Sequence, residues 1–177
     1  MCIRDSLYWG VSMWSAEQTA EACRIARELG ACPPISNQPP YNMFERDIEE
    51  RDLPEQAEQG LSQIVYSPLA QGLLTGKYRG GLVPDGTRAA DERSGVFLRP
   101  MMTPSNIAKA DAVADLAVEL GLKPSQLALA WCLRNRNVAS VIAGATKAVQ
   151  VTQNAVAAGV SLDEETQARI EAILAAD

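Results

Sequence analysis

Short apolar runs alternate with amphipathic stretches along the chain, and that alternation predicts its elements. Residues 7–12, Leu-Tyr-Trp-Gly-Val-Ser, read as a buried strand. Ser15 then caps a helix, with Gln18 three residues on completing a capping box. Ala22, Cys23, Ala26 and Leu29 recur at helical spacing, and Gly30 ends the helix. Residues 34–38 form a short second strand stopped by Pro39-Pro40, and 46–60 read as a polar helix interrupted near Pro54. Residues 62–66 are a third strand. The stretch 79–103 is irregular and rich in Gly, Pro and Arg, a length that marks either a functional lid or a disordered loop. Thr103-Pro104 opens a helix that runs to Gly121. Pro124 opens another, with Leu127, Ala130, Trp131 and Arg134 on neighbouring turns. Residues 138–143 make the fourth strand and 147–158 a helix, after which Ser161 and Glu164 predict a capping box for the last helix.

Strands separated by helices in this way predict an α/β fold with a parallel sheet. A parallel sheet needs both faces covered. Four strands with helices on one side satisfy only one face, and the natural completion is an eight-stranded barrel, of which this chain would be the second half. Leu127, Trp131, Leu133 and Ile142 are expected in the core, while Trp9 and Trp14 sit near a strand end and suit rim packing or a pocket wall.

Composition removes several functions. Net charge is −6 and the isoelectric point is near 4.8, which excludes an electrostatic nucleic-acid or anionic-membrane surface. No apolar run is long enough to span a bilayer, and no signal peptide is visible. The four cysteines, Cys2, Cys23, Cys32 and Cys132, form no C-x-x-C pair, so reduced thiols in a cytoplasmic protein are expected and a zinc site is not. The sequence has no histidine, which excludes His-based triads and acid–base pairs within these residues.

The most specific stretch is residues 66–78, Tyr-Ser-Pro-Leu-Ala-Gln-Gly-Leu-Leu-Thr-Gly-Lys-Tyr. An aromatic, a hydroxyl, two glycines and a lysine after a strand suit a flat ring joined to a phosphate. Together with Tyr8-Trp9-Gly10-Val11-Ser12, Trp14-Ser15, Gln38, Tyr41-Asn42-Met43-Phe44, residues 126–135, residues 141–146, and Gln150, Gln153 and Asn154, this stretch resembles the aldo-keto reductase superfamily. The branch resembled contains the potassium-channel β subunits and their bacterial relatives. The resemblance covers residues 7–176 in order. It implies a (β/α) barrel, of which these strands would be the fifth to the eighth, and NADP as cofactor. It also implies hydride transfer between NADPH and a small carbonyl substrate. The family's catalytic Asp, Tyr, Lys and His lie in the first half, so no catalytic residue is expected in this chain, which would begin after them. Residues 1–6, Met-Cys-Ile-Arg-Asp-Ser, are read as a non-native leader and 7–177 as the C-terminal half of the oxidoreductase domain.

Residue by residue, the resemblance assigns Ser12 and Gln38 to the nicotinamide carboxamide, which needs a donor and an acceptor. Asn37 is an adjacent alternative. Tyr66 would stack on the nicotinamide ring. Ser67, Leu69, Gln71 and Lys77 would surround the pyrophosphate, with Arg88 closing over it. Gly144, Thr146 and Gln150 would hold the adenosine 2′-phosphate at a helix N-terminus, with Lys147 nearby, and Gln153 and Asn154 would contact adenine. Two other functions fit the same residues: a nucleotide-sensing regulatory module like a channel β subunit, and a half-barrel that pairs with itself through exposed strand edges.

Overall fold

A computed structural model describes residues 7–176; the expected leader lies outside them. Four strands form one parallel sheet in chain order: β1 (Gly10–Val11), β2 (Ser36–Asn37), β3 (Ser62–Tyr66) and β4 (Val138–Ile142). Helix α1 (Ala16–Glu28) lies between β1 and β2, and α2 (Asp52–Glu58) between β2 and β3. Helices α3 (Pro104–Glu119) and α4 (Pro124–Leu133) precede β4, and α5 (Ala148–Ala155) and α6 (Glu164–Ala175) follow it.

The first two strands are shorter than the sequence predicts. Gly10 lets them approach closely: a Cβ there would lie 2.8 Å from the Ser36 carbonyl oxygen. The predicted break near Pro54 falls earlier. A 3₁₀ turn spans Asp47–Glu49, α2 starts at Asp52, and Pro54 sits in its first turn. Backbone N–H groups there have no partner within a helix, so a proline costs little. The capping box at Ser15 and Gln18 is present. The one expected at Ser161 and Glu164 is not: Asp163 is the cap, accepting from Thr166 N at 2.8 Å, and Glu164 is the first helical residue. A carboxylate at the N-cap accepts a free backbone N–H and also complements the positive end of the helix dipole.

Alternation divides the sheet into two faces. Asn37, Gln63, Val65 and Val138 are buried against the helices. Ser36, Ser62, Ile64 and Tyr66 point the other way and stay partly accessible. The pairing slips between Gln63↔Val138 and Ile64↔Ser140, which leaves Ala139 unopposed and sets Ser140 and Ile142 on the accessible face. Ile142, expected in the core, is therefore 45% exposed. No helix covers this face among the described residues, and the sheet does not close.

The core lies behind the other face. Val65 belongs to one buried cluster with Leu73, Leu74 and Tyr78 of the loop after β3, Val113, Leu116 and Ala117 of α3, and Leu127 and Trp131 of α4. Trp131 stacks on Tyr41 with ring centroids 5.1 Å apart and carries the Arg134 guanidinium 3.7 Å over its own centroid. Arg134 also reaches Glu49 at 2.9 Å, and Arg46 joins Glu49 at 2.7 Å to Glu171 of α6 at 2.6 Å. Burial disfavours charge on Glu49, but hydrogen bonds from Tyr41, Arg46 and Arg134 outweigh it and hold the carboxyl below its ordinary value.

Candidate functional site

The C-terminal ends of the first three strands converge. Gln38 N donates to Val11 O at 2.9 Å, extending the β1–β2 ladder, and Ser12 Oγ donates to the Gln38 carbonyl at 2.8 Å. The segment after Gln38 then runs beside the end of β3: Tyr66 N donates to Pro39 O at 3.0 Å and Tyr41 N to Tyr66 O at 3.1 Å. The Tyr66 hydroxyl donates to Met13 Sδ at 3.1 Å. Ser12, Gln38 and Tyr66 thus share one edge, with Met13 among them. Asn37 does not: it is fully buried on the helix face, its side chain bonded to Trp14 and Gln56. Strand alternation sends Asn37 and Gln38 to opposite sides, so Gln38 is the one that serves this edge.

The loop after β3 is tightly wound. Ser67, Ala70 and Gln71 hold φ of +54°, +46° and +57°, in the left-handed region that costs a side-chain-bearing residue about 1–2 kcal/mol. Met13 at +58° completes the non-glycine residues with positive φ among those described, so all four lie in the two loops leaving β1 and β3. Strain concentrated at strand ends marks a place where backbone shape matters. Gln71 Nε2 donates to Ser67 Oγ at 2.7 Å, and Arg88 donates to Gln71 Oε1. The irregular stretch 79–103 is thereby tied back to the loop by Arg88. Leu69 turns its side chain to the core and leaves its backbone to the loop. Lys77 folds over Gly72, where a Cβ would lie 2.9 Å from Nζ, and sits 5.0 Å from the Tyr78 ring centroid. Glycine at 72, with φ of +105°, is what admits the lysine there.

A second group forms where β4 ends. Gly144 to Thr146 lead into α5, and three donors meet on one oxygen. Gln150 Oε1 accepts from Thr146 N at 2.8 Å, Thr146 Oγ1 at 3.2 Å and Lys147 N at 3.1 Å. Such a convergence at a helix N-terminus suits an anionic oxygen as well as an amide. Asn154 lies on a mostly apolar groove of about 240 Å³ with Leu129, Val141, Ala143 and Val151. Gln153 accepts at its carbonyl from Gln126 Nε2 at 2.9 Å. No hydrogen bond among the described residues links this group to the Tyr66–Ser67–Arg88 group.

The positioning roles of several buried amides were not read from the sequence. Asn37 Nδ2 and Gln56 Nε2 donate to the Trp14 carbonyl at 2.9 and 3.0 Å, and Gln63 Nε2 donates to Gln56 Oε1 at 2.8 Å. These buried amides hold the loop bearing Ser12 and Met13. Asn42 Nδ2 does the same for Ser67, donating to its carbonyl at 3.1 Å. Their partners are 7 to 42 positions away along the chain, at spacings that match no local pattern. No cluster of metal-ligating side chains occurs among the described residues, and burial pushes the Cys132 thiol up to about 12.

A parallel sheet backed by helices, with its polar groups and strained loops at the strands' C-terminal ends, is the architecture of barrel-type α/β enzymes. A family model described as the aldo/keto reductase family matches residues 6–175, and the chain belongs to that family; its four strands are a partial (β/α) barrel. Over 172 residues it is 41% identical to a probable voltage-gated potassium channel subunit beta of Oryza sativa subsp. japonica, covering 96% of this chain and 52% of that protein. A probable subunit of the same kind from Arabidopsis thaliana is 41% identical over 150 residues, covering 84% and 46%. A putative one from Schizosaccharomyces pombe is 39% identical over 153 residues, covering 84% and 44%. The chain thus spans about half the length of these relatives. No helix among the described residues is long and apolar enough to cross a membrane.

Proposed function

We propose that this chain forms the nucleotide side of an NADPH-dependent reductase of small aldehydes or ketones, and that the proton donor lies outside these 177 residues. The observation that carries the reading is the strained strand-end edge where Ser12, Gln38 and Tyr66 meet. The residues fit a nicotinamide dinucleotide. Ser12 and Gln38 offer a hydroxyl and an amide to the carboxamide. Tyr66 offers a ring face for stacking, worth about 0.5–1.5 kcal/mol beyond burial. Ser67, Gln71, Lys77 and Arg88 give a loop with two cations for the pyrophosphate. The cradle now filled by Gln150 Oε1 suits the 2′-phosphate, with Thr146 and Lys147 N as donors and Gly144 leaving room beside them. Gln153 and Asn154 stand at the adenine end. When bound, the nicotinamide supplies the hydride that reduces the carbonyl. The chain's own part is to fix that ring's face and neutralise the phosphates. These residues contain no histidine, so the histidine of the family's catalytic set is not among them.

Fluorescence titration of the purified chain tests this. Weak NADPH binding, preferred over NADH and reduced by Tyr66→Ala, is expected, with no consumption of NADPH on a panel of carbonyls. Turnover that disappears in Tyr66→Ala would place the whole reaction in this chain, and equal affinity for both nucleotides would remove the 2′-phosphate assignment. A regulatory role is favoured by the relatives' names as probable channel subunits, and a nucleotide-sensing module predicts binding without turnover even in a longer protein. Self-pairing is favoured by the free edges of β1 and β4 and predicts a discrete dimer on size-exclusion chromatography.

A further inference from the structure

Met13 is the most reactive side chain at this edge that the nucleotide reading leaves unused. It is 63% exposed, whereas Met43 is 2% exposed and Met101 and Met102 pack against the core. Its backbone, at φ +58°, is held in place because the next residue, Trp14, is clamped by Asn37 and Gln56. Its sulfur accepts the Tyr66 hydroxyl at 3.1 Å. That hydrogen bond occupies one sulfur lone pair and leaves the other open.

We propose that Met13 is an oxidant-responsive modification site whose reactant is a hydroperoxide. The open lone pair attacks the terminal peroxide oxygen. The S–O bond forms as the O–O bond breaks, and the proton passes to the departing oxygen, giving an alcohol, or water from hydrogen peroxide. Sulfur loses two electrons and the peroxide gains them. Because only one lone pair is open, one sulfoxide epimer predominates. The product sets a hydrated dipole beside the Tyr66 ring where a soft apolar group stood. Its effect on nucleotide binding rests on the proposed function; the modification itself does not.

The test is limited oxidation of the pure chain with hydrogen peroxide, followed by proteolysis and mass spectrometry. Met13 is expected to gain about 16 Da ahead of Met43, Met101 and Met102, and one of the two epimer-specific sulfoxide reductases should remove most of it. Tyr66→Phe uncovers the second lone pair, and each reductase should then remove about half. NADPH affinity should fall about fivefold on oxidation, since the sulfoxide must lose water when a flat ring packs beside it, and should not change in Met13→Leu. Oxidation of Met101 or Met102 keeping pace with Met13, or an equal epimer mixture in the unsubstituted chain, overturns the proposal. Unchanged affinity after complete oxidation overturns its regulatory consequence. Absence of NADPH binding before oxidation counts against the nucleotide reading alone, because the epimer measurement still decides the modification.

Discussion

Gln56 is where the support of the strand-end edge can be measured. Fully buried, it donates to the Trp14 carbonyl at 3.0 Å and accepts from Asn37 Nδ2 at 3.1 Å and Gln63 Nε2 at 2.8 Å. Leucine is near it in volume and offers no polar atom. In Gln56→Leu the Trp14 carbonyl and Asn37 amide keep each other, bonded at 2.9 Å. Gln63 has no such reserve. Its Oε1 already lacks a partner, so its whole side-chain amide would be stranded in the interior. Stranded buried groups cost about 1–3 kcal/mol each, so the substitution should destabilise the chain by about 2–4 kcal/mol. Adding Gln63→Leu removes the stranded amide, and the double variant should recover about half of that loss or more, because replacing both partners with apolar groups is far cheaper than removing one. Urea unfolding followed by tryptophan fluorescence gives both numbers. A single-variant loss below about 0.5 kcal/mol, or a double variant at the sum of two independent losses, would refute the reasoning.

Two further outcomes follow from the geometry. Thr146→Val removes one donor from the cradle at the start of α5; hydrogen bonds to charged groups are worth about 1.5–3 kcal/mol, so NADPH affinity should fall about tenfold or more while NADH affinity holds. An equal loss for both nucleotides in the same titration would show that the hydroxyl does not read the 2′-phosphate. Glu49 has a folded-state pKa below its ordinary 4.5, so the stability it contributes is present above that value and is lost as pH falls through the lowered one. Glu49→Gln should therefore flatten the acid limb of the stability–pH curve below pH 4.5. An unchanged limb would mean that Arg46, Arg134 and Tyr41 do not stabilise its charge.

Much of the fold was legible because it rests on local rules. Ser15 with Gln18, Thr103 with Pro104, and Gly30 at φ +61° act within a turn of where they stand, and short apolar runs locate β3 and β4. The strand-end residues Ser12, Gln38, Tyr66 and Ser67 were equally legible, since strand, stop and loop follow one another along the chain. The errors occurred where two local signals competed or a distant element intervened. Asp163 outcompeted Ser161 as a cap, and a slip in pairing against β3 turned Ile142 to the accessible face.

By itself the sequence determined the order of strands and helices, the parallel sheet and the positions of the strand-end side chains, because hydrophobic period, caps and turn residues act over a few positions. Only the tertiary structure decided which distant groups meet. The Tyr66 hydroxyl lies on Met13, Arg88 on Gln71, and two buried amides, Asn37 and Gln56, on the Trp14 carbonyl. Those contacts join elements 17 to 53 residues apart. A buried polar group must find its partner wherever packing sets one, and that choice is written in no single stretch of chain.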